Sequence, residues 1–179
     1  MPLVGLHVNG FWKRNFRTQG ERLCLSALSQ ARAPFFYEKW GVSDSLEGRF
    51  DCASLHVVLL LRHLRGPLAQ AVFDRFFSYT ELTLREMGVS DLKVGKQVKK
   101  CATFFYGALK VYEDALEGKE NLEEALTRNL YGNAPSPYVN EVAAYVRVCD
   151  QYLRGINPER SEDFVWPSVE EKASKKCHP

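Results

Sequence analysis

The sequence predicts an all-α fold, a single domain built as a bundle of about six amphipathic helices. Three observations carry that expectation. Apolar residues recur at alternating spacings of three and four along most of the chain. No segment alternates apolar and polar residues in the manner of a strand. The breaks between periodic segments are short and marked by Gly or Pro.

Residues 1–17, with Gly5, Asn9-Gly10 and the basic group Lys13, Arg14 and Arg17, read as an irregular N-terminal segment. Thr18 to Glu21 has the Thr-x-x-Glu form of a capping box, so a helix is expected from Thr18 to about Arg32, ahead of Pro34. The stretch "PFFYEKWGVSDSLEGRFD" is aromatic and turn-rich. Asp44 to Glu47 is a second capping-box match and predicts a helix over 45–64, closed by Gly66.

Pro67 suits the first turn of the next helix. Its stripe is Leu68, Val72, Phe76 and Tyr79, and Gly88 closes it. The clearest seam lies in 90–117, where Val94, Val98, Cys101, Phe105, Ala108, Tyr112 and Ala115 share one face. "NLEEALTRNLYG" gives a short helix. Ser136 is expected to cap a last helix with Pro137 in its first turn, a stripe through Tyr138, Val142, Tyr145, Cys149 and Tyr152, and an end at Gly155. The division expected is thus an irregular segment at 1–17, a helical domain at 18–166 and a loose polar tail at 167–179.

Composition narrows the function. Apolar residues are 45% and charged residues 26%, ordinary for a globular domain, and the net charge of +2 creates no global field for DNA. The five cysteines stand singly, which suits reduced thiols in a cytoplasmic compartment. The N-terminus has no secretory pattern, and no window nears the roughly 20 apolar residues of a spanning helix.

No P-loop, GxGxxG, nucleophile elbow or triad is present, so no motif names a reaction. In "LHVVLLLRHLRG", Cys52, His56 and His63 fall on nearly one helical face. His63 lies about 10 Å along the axis from His56, too far to share one ion, so no metal site is expected. Glu47, Arg49 and Asp51 crowd the start of that helix, where carboxylates are favoured by the helix dipole. Lys93, Lys96, Lys99 and Lys100 have no acid between them. They form either the solvated back of the seam helix or a basic strip for phosphate, on ribosomal RNA or anionic lipid. Phe35, Phe36, Tyr37 and Trp40 lie in a segment too irregular to bury every ring, and some could line a groove for a hydrophobic helix.

"FYEKWGVSDSLEGRFDCASLHVVLLLRHLRG" resembles the signature region of the ubiquinol–cytochrome c chaperone family, assembly factors of the cytochrome bc1 complex. The likeness continues through "FDRFFSYTELTLREMGVSDLKVGKQVKKCATFFYGALKVYEDAL" and "LEEALTRNLYG", and covers residues 20–155. Its most specific parts are Trp40-Gly41-Val42, Asp44, Gly48-Arg49-Phe50-Asp51, His56, Arg85-Glu86-Met87-Gly88 and Phe105-Tyr106-Gly107. Ser43 departs from the proline that relatives often carry. Mitochondrial members have a long N-terminal extension that is not seen here, so a compact bacterial-type member is expected.

The resemblance implies a non-enzymatic chaperone that binds newly made cytochrome b while haem is inserted and the bc1 complex is built. It implies further partners in a small partner subunit and the ribosome, and a location in the cytoplasm, peripheral to the inner membrane (the matrix side in mitochondrial relatives). On this reading the cytochrome b surface comprises Phe36, Tyr37, Trp40, Asp44, Arg49, Phe50, Asp51, Phe104, Phe105 and Tyr106. No resident cofactor is expected. The alternatives are a haem carrier using His56 or His63, and a ribosome- or lipid-surface adaptor working through Lys93, Lys96, Lys99 and Lys100.

Overall fold

Every residue from Cys52 to Leu60 is buried. A helix that is covered on all sides must run through the middle of a bundle, and the others are arranged around it. The computed structural model describes residues 10–158 and 165–168. Its helices are α1 (Gly10–Ala31), α2 (Pro34–Glu38), α3 (Leu46–Arg62), α4 (Gly66–Glu86), α5 (Asp91–Leu116), α6 (Leu122–Asn129) and α7 (Val139–Ile156). No strand occurs among the described residues. The central α3 packs against α1, α4, α5 and α7. α1 lies chiefly along α4, and α6 bridges α5 and α7.

α1 begins at Gly10, so the expected irregular segment and the capping box at Thr18 are both corrected over 10–17. The apolar stripe of Leu23, Cys24, Ala27, Leu28 and Ala31 continues upstream through Phe16, which packs on the core and extends the helix past Thr18. Residues 1–9 lie outside the described residues. Gly20 is where α1 and α4 approach most closely, since a Cβ there would sit 2.6 Å from that of Ala71. The aromatic stretch expected to be turns also forms a short helix, α2.

The cap of α3 is Ser45 rather than Asp44. The Gly48 amide donates to Ser45 Oγ at 3.1 Å, and Asp44 instead pairs with Arg49 at 2.6 Å. α5 runs as one helix of 26 residues and buries Val94, Phe105, Ala108, Tyr112 and Ala115, the expected seam. α7 starts at Val139, because Ser136 Oγ accepts from the Tyr138 amide (3.2 Å) in a turn just before it. It runs one residue past Gly155 and ends where Asn157 turns left-handed at φ 50°. Trp166 is buried, packs edge-on against His56 with centroids 5.3 Å apart, and donates from Nε1 to Ser26 Oγ at 3.0 Å. The tail expected at 167–179 lies, beyond Ser168, outside the described residues.

Candidate functional site

A groove of about 690 Å³ lies between the first half of α3 and the facing sides of α4 and α5. That is within the range of specific binding pockets. Much of its wall is apolar, with Leu46 and Phe50 from α3, Phe76 and Leu84 from α4, and Phe104 and Ala108 from α5, interrupted by Thr80, Thr83 and Gln97. Phe50 stacks on Phe76 with centroids 5.7 Å apart. Phe104 stands at the rim, 61% exposed, with Lys100 Nζ 5.6 Å from its ring centroid. The end towards α1 and α2 is closed by Leu28, Arg32 and Tyr37, and the end towards α6 by Arg128 and Asn129.

Three polar groups in this lining stand apart. Asp51 makes no hydrogen bond or ion pair with any described residue, and burial, helped by the charge of Glu47, pushes its carboxyl up to about 6. Ser54 Oγ and Tyr112 OH are buried with no hydrogen-bond partner. Burial, and then the charge of Asp51, raises the Tyr112 phenol. Buried hydroxyls are normally paired, so two orphans beside a carboxyl with no partner among the described residues make a polar floor beneath the apolar side chains, apart from the polar residues Thr80, Thr83 and Gln97 that also line the groove. Sequence reasoning missed Ser54 and Tyr112. A hydroxyl within the continuous buried run of α3, and another in the α5 seam, were the available signals.

The expected contact residues divide. Tyr37, Arg49, Phe50, Asp51 and Phe104 line the groove. Asp44 lies beside it, paired with Arg49, whose guanidinium sits 5.2 Å over the Tyr37 ring. Phe36, Trp40 and Phe105 are corrections. They are 0%, 4% and 0% exposed, because the short α2 turns its rings inward and Phe105 points along the α5 seam. Phe36 meets Trp40, His56 and Tyr145 edge-on at centroid distances of 5.4, 5.2 and 5.5 Å. Tyr106 is exposed but packs on Phe73 outside the groove.

The histidines are structural. The Cys52 carbonyl can only accept, so His56 Nδ1 carries the proton and donates to it at 2.8 Å. His56 Nε2 then accepts from Tyr145 OH at 3.0 Å, and Tyr145 in turn accepts from Gln30 at 2.9 Å. Burial pushes His56 down to about 4, against the Cys52 hydrogen bond. Both ring nitrogens are used and the ring is wholly buried, so His56 offers no bond to a haem iron. His63 donates from Nε2 to Asp150 at 2.8 Å, beside Arg62 at 3.0 Å. The haem alternative therefore loses its proposed ligands to the packing of α3 on α7. Lys93, Lys96, Lys99 and Lys100 are exposed, and none meets an acid among the described residues.

The family profile described as Ubiquinol-cytochrome C chaperone matches residues 38–161. The chain belongs to that family. A solved structure, "Crystal structure of the Cbp3 homolog from Brucella abortus", superposes with a TM-score of 0.78 at 32% identity, covering 90% of this chain and 96% of that one. No curated protein matches the chain. The family's profile takes in the groove's α3, α4, α5 and α6 walls and leaves out the whole of α1. No described helix is long and apolar enough to cross a membrane.

Proposed function

We propose that this ubiquinol–cytochrome c chaperone binds newly made cytochrome b and holds an apolar segment of it in the groove between α3, α4 and α5 until the bc1 complex is built. The observation that carries this reading is the groove itself. It is a preformed apolar concavity with an exposed phenylalanine, Phe104, at its rim. A chaperone for a membrane-embedded client needs such a surface, because apolar client helices outside lipid must be covered.

Photoreactive residues at Leu46 and Phe104 test it in cells assembling the complex, with Tyr138, exposed and outside the groove, as the reference position. Crosslinks to cytochrome b are expected from the first two only. Their absence, with the chaperone folded and the complex being made, would refute the reading.

The lysine strip favours a second, compatible role as an attachment surface at the ribosome or an anionic membrane face. Leu92, next to Lys93, is 98% exposed. Exchange of Lys93, Lys96 and Lys100 for glutamine should weaken co-sedimentation with ribosomes or anionic vesicles at low salt and change nothing at high salt.

A further inference from the structure

The apolar walls of the groove account for affinity towards an apolar segment, but not for its polar floor. Several carboxylates elsewhere in the fold hold cations. Asp150 takes Arg62, His63 and Arg154, Asp114 takes Lys110 and Lys119, Glu21 takes Arg75, and Asp44 takes Arg49. Glu47 and Glu113 take none among the described residues, and neither does Asp51, which is set apart by lying partly buried in the groove beside two unpartnered hydroxyls. Ser54 lies one turn further along the same face of α3, about 4.5 Å along the axis, and Tyr112 faces them from α5. Their oxygens are also without partners.

We infer that Asp51, Ser54 and Tyr112 form a receptor for one basic side chain, an arginine, carried on the apolar client segment that occupies the groove. This rests on the reading of the groove as the client site. A guanidinium has five N–H donors in a planar fork and no acceptor. Two can meet the Asp51 carboxylate side by side, and others can reach the hydroxyl oxygens of Ser54 and Tyr112. One incoming group would thus satisfy all three. An all-apolar segment would strip solvent from the Asp51 carboxylate with nothing in exchange and leave both hydroxyls as unpaired as they are in the free protein, which disfavours it.

The charged groups around the groove permit this. Arg49 is already paired with Asp44 and Arg128 with Glu120. Glu47 adds a negative charge that Asp51 feels, and Arg32 and Lys100 also line the groove without an ion pair to Asp51. At neutral pH the Asp51 carboxyl, at about 6, is largely ionised and gains from a cation. The arrangement also supplies discrimination. Apolar segments are common in any membrane protein, and one carrying a single arginine is not.

The test uses the full chain and a short apolar helical peptide on a neutral polyethylene-glycol tail. One central residue of the peptide is arginine, its uncharged isostere citrulline, or norleucine. Fluorescence anisotropy should show the arginine peptide binding about tenfold or more tightly than the other two. Asp51→Asn should reduce that preference to near unity while norleucine-peptide binding stays the same or improves. Equal binding of the three peptides by the native protein, or a preference that survives Asp51→Asn, overturns the inference and leaves the apolar groove standing. Failure of all three peptides to bind the native protein overturns both.

Discussion

Exchange of Asp51 for asparagine should make the protein more stable above pH 6 and leave it unchanged near pH 4. The carboxyl rises from its ordinary value of 3.8 to about 6 in the fold, chiefly through burial and secondarily through Glu47. A group that holds its proton more tightly folded than unfolded favours the fold below its unfolded value, and that advantage is lost as pH rises through the folded one. The window is therefore pH 4 to 6, with the whole penalty present at pH 7.5. At 1.36 kcal/mol per tenfold, the full rise corresponds to about 3 kcal/mol. Asp51 keeps some contact with solvent, and screening reduces the expected gain to about 1–2 kcal/mol. For a chain of this length that is a rise of about 3–6 °C in Tm. Urea unfolding followed by circular dichroism, for both proteins at pH 4 and pH 7.5, gives the comparison. Other titrating groups cancel in the difference between the two proteins. A variant less stable than the native chain at pH 7.5, or a difference that does not change with pH, would refute the argument that Asp51 is unpaired in the free protein. A stabilising change is what a site with an unmet partner, as proposed for Asp51, should show.

Asp150→Ala should act with the opposite sign, costing about 2–4 kcal/mol at neutral pH by taking the partner of His63 and leaving Arg62 only its longer contact with Glu117 at 3.5 Å. Burial would raise the Asp150 carboxyl, but the His63 hydrogen bond and the charge of Arg62 outweigh it and hold it below the usual range. Its contribution is therefore present above that range and lost in acid, so in urea unfolding the gap between variant and native protein should narrow as pH falls below about 4. A gap independent of pH would contradict this. Gly48→Ala should destabilise by about 1–2 kcal/mol, because the added Cβ would run into the Ser43 carbonyl oxygen and only part of that is offset by alanine's better helix propensity. Gly95→Ala is the matched control. Nothing lies within 4 Å of a Cβ there, so it should gain about 0.5–1 kcal/mol in the same thermal melts. A loss equal to that of Gly48→Ala would show that the clash is not the cause.

Much of the architecture was legible before folding. The stripes of α3, α4 and α5 are local patterns of three and four, and Gly66, Pro67 and Gly88 punctuate them by backbone preference alone. Boundaries failed where tertiary burial outvoted a local signal. Thr18 has a good capping sequence, but Phe16 has a place in the core, and the helix runs on through it. Asp44 has a capping sequence too, but Arg49 draws it away and Ser45 caps instead. The aromatic residues could not be sorted from the sequence. Phe104 and Phe105 are neighbours in the chain, yet one stands at a groove rim and the other is fully buried.

The sequence by itself determined the helical class and, through its long likeness to one family, the kind of task this protein performs. Those are set by periodicity and by residue identity along the chain. Only the tertiary structure decided which residues surround Asp51. Asp51, Ser54 and Tyr112 meet because α5 packs back across α3, and no local pattern relates residue 54 to residue 112. Whether a carboxylate is paired is a property of the space around it. In this fold that space is a groove with many apolar side chains and, among the described residues, no cation paired with Asp51.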